Sequence, residues 1–248
     1  MMTIDINCDM GEGMPNDADI MPYISSANIA CGYHAGNEAT MRNTIDLCLK
    51  HSVAIGAHPG FNDKENFGRK PIQLSADELY QLVWKQLEII QAICKEKHTK
   101  LHHVKLHGAL YNMAAKDKSI SKITAQVVKD FDTELIFYGL SGSVMITEAT
   151  ALGLKTANEV FADRTYQRDG TLTPRTQPHA LMEHSTDVIT QVEQMVKEKR
   201  VTTLTGEIIP IKADTICIHG DGDHALEFAK HIYQSLRSMG CIISSGSL

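Results

Sequence analysis

Short apolar runs alternate along the chain with longer segments that place an apolar residue every three or four positions. Runs of the first kind are typical of buried strands, and segments of the second kind are typical of amphipathic helices. The predicted strands are 3–9, 27–31, 52–57, 102–106, 134–140, 154–159 and 214–219. The predicted helices are 37–51, 75–97, 118–131, 142–152, 184–199 and 223–239. Residues 201–211 predict a small inserted hairpin, and residues 241–248 predict a loose tail.

Local signals mark the ends of several helices and support the alternation. Asn37 is a predicted N-cap, Ser75-Ala-Asp-Glu78 has the form of a capping box, and Gly240 is placed as a C′ residue. Strands that alternate with helices favour a parallel sheet. Seven such units in 248 residues predict an α/β fold with one domain, a parallel β/α barrel, because such barrels typically need ~250 residues. A doubly wound open sheet is the alternative.

Composition narrows the class of protein. Hydrophobic residues make up 43% of the chain and charged residues 22%, as in a water-soluble globular domain. The net charge of −6 and the lack of a basic stripe argue against a nucleic-acid partner. No apolar run approaches the ~18 residues of a membrane helix, and the N-terminal stretch turns polar too early for a signal peptide. Six cysteines without a C-x-x-C pair indicate reduced thiols, so we predict a cytoplasmic protein with no membrane partner.

Polar side chains follow the predicted strands where each strand ends. In a parallel barrel these carboxyl ends share one face, and that face carries the active site. Glycines around His34, in CGYHAG, allow a sharp turn that aims the imidazole into a shared mouth. The residues predicted on this face are Asp9, Glu12, His34, His58, Lys105, His107, Glu159, Asp163, Arg164, His219, Asp221 and Asp223. A lone histidine at a strand end is more often structural than catalytic, but so many polar groups together predict a catalytic site.

Two kinds of chemistry suit this set of residues. Histidines titrate near neutral pH and act as general acids or bases. A divalent metal is the other option, with candidate ligands Asp9, His34, His58 and His107. Lys105 and Arg164 would stabilise a carboxylate, a phosphate or a developing oxyanion. The sequence has no nucleophile elbow, P-loop or dinucleotide fingerprint, so the residues indicate hydrolysis or group transfer on a small polar substrate.

Several stretches occur in the order seen in a known family. They are DINCDMGEG, SSANIACGYHAG, AIGAHPG, HVKLHGALYN, EVFADRTY and DTICIHGD. Together they resemble the LamB/YcsF family, the A subunits of the bacterial ATP-dependent 5-oxoprolinases, over essentially the whole chain. Leu106 stands where the family motif usually has proline, whereas Lys105 and His107 of that motif are present.

The resemblance implies a fold, a reaction and partners. The fold is a seven-stranded parallel β/α barrel, a distorted TIM-like barrel of the glycoside hydrolase/deacetylase type. The reaction is the cleavage of 5-oxo-L-proline to L-glutamate with hydrolysis of ATP, with Mg²⁺ as the expected partner of ATP. The protein would act in a complex with subunits B and C. Since the chain lacks a P-loop, the nucleotide would bind in a nonstandard site or at an interface between subunits.

Roles for the candidate residues follow as a hypothesis. Those assigned to catalysis are Asp9, Glu12, His58, Lys105, His107 and Asp163. Those assigned to substrate or nucleotide binding are His34, Arg164, His219 and Asp221. The sequence leaves open whether the protein itself binds a metal ion. The alternatives are a metal-dependent deacetylase or amidohydrolase that acts without ATP, and a noncatalytic binding protein that delivers substrate to its partners.

Overall fold

Seven parallel strands close into a barrel in the computed structural model, which describes residues 2–220, 222 and 224–246. In chain order, the strands of the described residues are β1 (Thr3–Met10), β2 (Ser26–Ala30), β3 (Ala54–His58), β4 (His103–Lys105), β5 (Ile136–Leu140), β6 (Lys155–Phe161), β7 (Arg200–Thr202), β8 (Ile208–Pro210), β9 (Thr215–Ile218) and β10 (Ile242–Ile243). The barrel consists of β1 to β6 and β9, and β7, β8 and β10 are additional short strands. The barrel order is β1-β2-β3-β4-β5-β6-β9, and β9 pairs back with β1. This closure confirms the predicted fold and excludes the open sheet.

Helices surround the barrel and connect its strands. They are α1 (Asp17–Ile20), α2 (Glu38–His51), α3 (Ala76–Glu96), α4 (Gly108–Ala114), α5 (Lys118–Phe131), α6 (Val144–Ala151), α7 (Ser185–Glu193) and α8 (Ala225–Ser238). A 3₁₀ turn at Met21–Tyr23 follows α1, and α7 continues as a π-helical turn over Gln194–Glu198. The pattern of the sequence did not predict α1. Among the described residues, no helix combines the length and apolar character needed to cross a membrane.

Capping interactions explain where the helices begin and end. The backbone N–H of Thr40 donates to Asn37 Oδ1 over 3.0 Å, and the backbone N–H of Asn37 donates back to Thr40 Oγ1 over 2.8 Å. Ser75 and Glu78 make the same reciprocal pair at the start of α3. Gly240 follows the last helix with φ +79°, a left-handed conformation that favours glycine. All three predicted helix ends are therefore confirmed.

The C-terminal segment differs from its prediction as a loose tail. Ile242 and Ile243 form β10, which pairs in parallel with Thr3 and Ile4 at the start of β1. The pairing of β1 with β2 begins only at Asn7, so β10 supplies hydrogen-bond partners for the earlier part of the strand. The inserted hairpin is confirmed, with β7 antiparallel to β8.

The barrel interior is polar, whereas the layer between strands and helices is apolar. Residues 3–10 of β1 show why, because successive side chains point to opposite faces of a strand. Ile4 and Ile6 join the apolar core, while Asp5 and Asn7 belong to a buried polar network. The Asp5 carboxylate accepts hydrogen bonds from four hydroxyl groups, those of Ser25, Ser26, Tyr138 and Thr215. The same alternation carries Asp9 to the inner face at the barrel mouth.

Candidate active site

A cavity of about 680 Å³ opens at the carboxyl ends of the strands, the face on which the sequence analysis placed the site. The predicted residues that line it are Asp9, Glu12, His58, Lys105, His107, Arg164 and His219. His34, Glu159 and Asp163 lie behind this lining and contact it. Asp221 and Asp223 lie outside the described residues. The barrel thus brings together every predicted site residue that the structure describes.

Lys105 is at the centre of the inner part of the site. Its Nζ lies 2.8 Å from Asp9 Oδ1, 3.0 Å from Glu159 Oε1 and 2.9 Å from Cys217 Sγ. Burial by itself lowers the pKa of Lys105, but the nearby Asp9, Cys217 and Glu159 outweigh it and hold the pKa well above its usual range. Burial disfavours the charged form of Asp9 as well and so raises its pKa, but the nearby His58 and Lys105 outweigh burial and hold that pKa well below its usual value. The result is a buried ammonium between two carboxylates.

Asparagine and histidine side chains that the sequence analysis did not assign to the site orient Asp9. The Nδ2 of Asn28 donates to Asp9 Oδ1 over 2.9 Å and to Asn7 Oδ1 over 2.8 Å. Because the Asn28 amide nitrogen is a donor, its Oδ1 accepts from His103 Nε2, 2.9 Å away. The inward alternation of residues 5, 7 and 9 in β1 was the signal that could have revealed Asn7. The roles of Asn28 and His103 could not be predicted in this way, because their contacts depend on the register between strands.

A second group, which we call the histidine cluster, consists of Glu12, His34, His58 and His107. Glu12 Oε1 lies 3.2 Å from His34 Nε2, 3.3 Å from His107 Nδ1 and 3.9 Å from His58 Nε2. His58 Nε2 is 2.9 Å from His107 Nδ1. The rings of His34 and His107 are stacked, with centroids 3.7 Å apart and planes within 4° of parallel. Burial and nearby His58 lower the pKa of His34 to about 2, and burial with His34 lowers the pKa of His107 well below its usual value.

A glycine-containing loop allows the histidines to pack this closely. Gly68 has φ +62°, and a Cβ there would lie 2.8 Å from the Cβ of His34 and 3.0 Å from Cδ2 of His107. The carbonyl of the preceding Phe67 accepts a hydrogen bond from His107 Nε2 over 2.8 Å. At Gly68 the loop therefore meets the stacked imidazoles with backbone alone, while the Phe67 ring packs edge-to-face against both of them. Leu106, in place of the family's proline, still leaves Lys105 and His107 directed into the site.

Arg164 and His219 line another part of the cavity, and Asp163 lies behind His219. His219 Nδ1 lies 2.8 Å from Asp163 Oδ1. Burial raises the pKa of Asp163, but His219 and Arg164 bring the net value below normal. Arg164 donates to the backbone carbonyls of Ala180 and Thr173 over 3.1 and 2.5 Å. Arg164 thus anchors the long loop after β6, and its binding of an anion stays a prediction.

The outer part of the cavity mixes cationic and apolar side chains. Arg69, Lys116 and Arg175 contribute positive charge, and the Arg69 guanidinium lies 4.8 Å from the centre of the Phe67 ring. The apolar lining includes Tyr111, Leu140, Phe161 and Leu172. Chemically, the site can hold a small anionic molecule at its mouth and present it to a buried ammonium, carboxylates and imidazoles.

Similarity to known proteins extends over the whole chain. Residues 4–247 match the LamB/YcsF family. The chain belongs to this family. A relative from Tolumonas auensis, the A subunit of its 5-oxoprolinase, is 50% identical over 250 residues, which cover 99% of this chain and 100% of the relative. The predicted family membership is therefore confirmed.

Solved structures of other proteins share the barrel fold. The crystal structure of the lactam utilization protein from Thermus thermophilus superposes with a TM-score of 0.92 at 37% identity, covering 98% of this chain and 100% of that one. Peptidoglycan deacetylase PdaC from Bacillus subtilis has a TM-score of 0.51 at 12% identity, with coverage of 99% and 89%. The latter similarity shows a shared barrel architecture and nothing about the reaction.

Proposed function

We propose that this protein takes part in the cleavage of 5-oxo-L-proline to L-glutamate, as the A subunit of an ATP-dependent 5-oxoprolinase with subunits B and C. The observation that carries the proposal is the 50% identity over the full length to the A subunit of the Tolumonas auensis 5-oxoprolinase. The lactam utilization protein of Thermus thermophilus supports the same substrate class. The six buried cysteines fit the reducing cytoplasm, where we expect the protein to act.

The chemistry of the site is compatible with opening a lactam. A lactam is a resonance-stabilised amide, and ATP, with Mg²⁺ as its partner, would supply a phosphoryl group that activates the carbonyl oxygen. Water then adds to the ring carbon, the C–N bond breaks and the ring nitrogen takes a proton, and a second water molecule releases phosphate. In this scheme Lys105 stabilises negative charge that develops on oxygen. In the metal-free protein the imidazoles of His58 and His107 would move protons, whereas with a divalent ion bound they would act as ligands of that ion.

Nucleotide binding needs a site other than a P-loop. The cationic side chains at the mouth, those of Arg69, Lys116 and Arg175, are suited to phosphate or carboxylate groups. We propose that ATP approaches the barrel from this side, either within the mouth or between the mouth and a partner protein. The substrate would then reach the buried ammonium of Lys105 from the same direction.

The test is to measure ADP and glutamate formed from 5-oxoproline by this protein alone and mixed with subunits B and C from the same cell. Coupled ADP and glutamate in the mixture would support the proposal, and no glutamate in any combination would overturn it. His58→Ala and His107→Ala should abolish turnover without loss of the folded circular dichroism spectrum. His184→Ala, at an exposed position, is the matched control and should retain full turnover.

A metal-dependent amidohydrolase or deacetylase is the second candidate function. The histidine cluster favours it, because imidazole nitrogens and a carboxylate oxygen lie within 4.8 Å of one another there, a spacing suited to a metal ion. This candidate predicts hydrolysis of an amide or ester by the protein alone, without ATP. Glutamate produced in the absence of ATP and of subunits B and C would support it over the ATP-dependent reaction.

A further inference from the structure

Backbone carbonyls determine which nitrogens of two imidazoles in the histidine cluster carry protons. His58 Nδ1 is 2.8 Å from the carbonyl oxygen of Lys105, and His107 Nε2 is 2.8 Å from the carbonyl oxygen of Phe67. A carbonyl oxygen only accepts hydrogen bonds, so both of these nitrogens are donors. In neutral rings, His58 Nε2 and His107 Nδ1 are then bare lone pairs. They face each other across 2.9 Å, an arrangement that calls for a cation between them.

A carboxylate oxygen completes a triangle with these two lone pairs. Glu12 Oε1 lies 3.3 Å from His107 Nδ1 and 3.9 Å from His58 Nε2. Zinc binds imidazole nitrogen at ~2.0–2.1 Å and carboxylate oxygen at ~2.0–2.2 Å, so ligand atoms that share one ion lie roughly 3–4 Å apart. The three distances of this triangle, 2.9, 3.3 and 3.9 Å, match that spacing.

Ring stacking excludes His34 as a further ligand beside His107. A metal ion bound to an imidazole lone pair lies in the plane of that ring. The rings of His34 and His107 are 3.7 Å apart and nearly parallel, so one ion cannot lie in both planes. The ring of His58, in contrast, is perpendicular to that of His107 at 89°. His34 Nε2 instead lies 3.2 Å from Glu12 Oε1, and it orients that carboxylate.

The cavity lies on the same side as these three ligands. Glu12, His58 and His107 line it, and His34 does not. The other group of metal-ligating residues in the described part of the chain, Asp9, Cys217 and His219, already contains a positive charge. Lys105 Nζ lies 2.8 Å from Asp9 Oδ1 and 2.9 Å from Cys217 Sγ. Asp9 Oδ2 also lies 3.4 Å from His58 Nε2, but the Asp9 carboxylate is already paired with Lys105, so we expect the metal ion on the Glu12 side of the site.

We propose that Glu12, His58 and His107 bind one divalent transition-metal ion of the zinc type, with a coordination position open to the cavity. The backbone carbonyls of Lys105 and Phe67 orient the two imidazoles, as hydrogen-bond partners of metal-bound histidines commonly do. Two nitrogens and one oxygen suit zinc and its neighbours better than Mg²⁺, which prefers oxygen ligands. This ion is distinct from the Mg²⁺ that accompanies ATP, and the inference does not depend on the proposed reaction.

The first experiment measures metal content and affinity rather than turnover. The full chain, purified without a polyhistidine tag from cells grown with added zinc, is analysed by mass spectrometry for bound metal. The metal-free protein is then titrated with Zn²⁺ by calorimetry. We expect about one ion per chain. Fewer than about 0.1 ion per chain, together with no heat of binding in the folded metal-free protein, would overturn the proposal and favour a proton shared by His58 and His107.

Matched variants identify the ligands. Glu12→Gln, His58→Gln and His107→Gln should each weaken Zn²⁺ binding by at least about 100-fold, because each removes a ligand. His34→Gln keeps a donor toward Glu12 and should lose no more than about 10-fold, at the lower end of effects on orienting partners. Loss of the ion in His34→Gln but not in His107→Gln would refute the assignment.

X-ray absorption of the zinc-loaded wild type provides a test that needs no variant to fold. The spectrum should require two imidazole nitrogens at ~2.0–2.1 Å. A fit that requires three imidazoles would contradict the exclusion of His34, and a fit that requires a sulfur ligand would place the ion at Cys217 instead. Since none of these readouts uses 5-oxoproline or ATP, failure of the metal site and failure of the proposed function are distinguishable.

Discussion

Replacing Lys105 with methionine removes a buried positive charge and keeps a side chain of similar length. In the wild type, Lys105 Nζ lies 2.8 Å from Asp9 Oδ1 and 3.0 Å from Glu159 Oε1. The side chains of Lys105 and Asp9 are 3% and 9% exposed, and that of Glu159 is fully buried. The variant would therefore leave two carboxylates close together in the barrel without their shared ammonium.

The expected loss of stability is large for a single substitution. Removing one partner of a buried ion pair costs about 3–5 kcal/mol, because the remaining charge is buried without compensation. For a chain of 150–250 residues, 1 kcal/mol corresponds to a change in Tm of about 2–4 °C. Lys105→Met should therefore lower Tm by roughly 6–20 °C.

The assay is thermal and urea unfolding followed by circular dichroism at pH 7.5. Lys155→Met is the matched control, since Lys155 and Glu134 are paired at 3.2 Å with side chains 58% and 79% exposed. Such a surface pair contributes about 0–1 kcal/mol. Adding Asp9→Asn to Lys105→Met should restore part of the lost stability. A Lys105→Met variant as stable as the control, or a double variant no better than the single one, would refute the reasoning.

Three further predictions concern acid stability, packing and thiol reactivity. The pKa values of Asp9 and Asp163 are lowered in the fold, so the stability they contribute is present above about pH 4 and is lost as pH falls through their folded values. Urea unfolding should show this loss as the pH falls below about 4, and Asp163→Asn should reduce the loss; a profile that stays flat below pH 4 would contradict it. Gly56→Ala would place a Cβ in steric overlap with the imidazole ring of His103, and it should lower the free energy of unfolding, measured in urea, by about 1–3 kcal/mol. In a His103→Ala background the same substitution should lower the free energy of unfolding much less. An equal loss in both backgrounds would show that the overlap with the His103 ring is not the cause. The six cysteines are buried and free, and burial raises the pKa of thiols such as Cys217 well above normal; iodoacetamide at pH 8 should therefore label them only after unfolding, as mass spectrometry would show, and rapid labelling of the native protein would disprove it.

Periodicity and strand ends determined the architecture and most members of the site from the sequence. Alternating apolar runs and helical segments predicted the seven barrel strands, because burial imposes those spacings on any parallel α/β fold. Side chains such as His58 and His107 were predicted together because the carboxyl ends of parallel strands lie on one face of a barrel. The helix caps at Asn37 and Ser75 were also local features, since their partners lie only three residues away.

Distances between strands were decided by the tertiary structure alone. Barrel closure and register bring Glu159 of β6 to Lys105 of β4, and Asn28 of β2 between His103 and Asp9. No local pattern encodes these contacts, because they depend on strand register and on how the sheet closes. The pairing of β10 with β1 is long-range in the same way.

In the histidine cluster, too, the sequence predicted some features and the folded structure decided the others. From the sequence, His58 and His107 were assigned to catalysis and His34 to binding, and all three were candidate metal ligands together with Asp9. In the structure, the loop through Gly68 stacks His34 on His107, and two backbone carbonyls set the tautomers of His58 and His107. Residue type and strand position determined which groups meet at the barrel mouth. Ring orientation and hydrogen bonding, which exist only in the folded chain, decided which of them can share an ion.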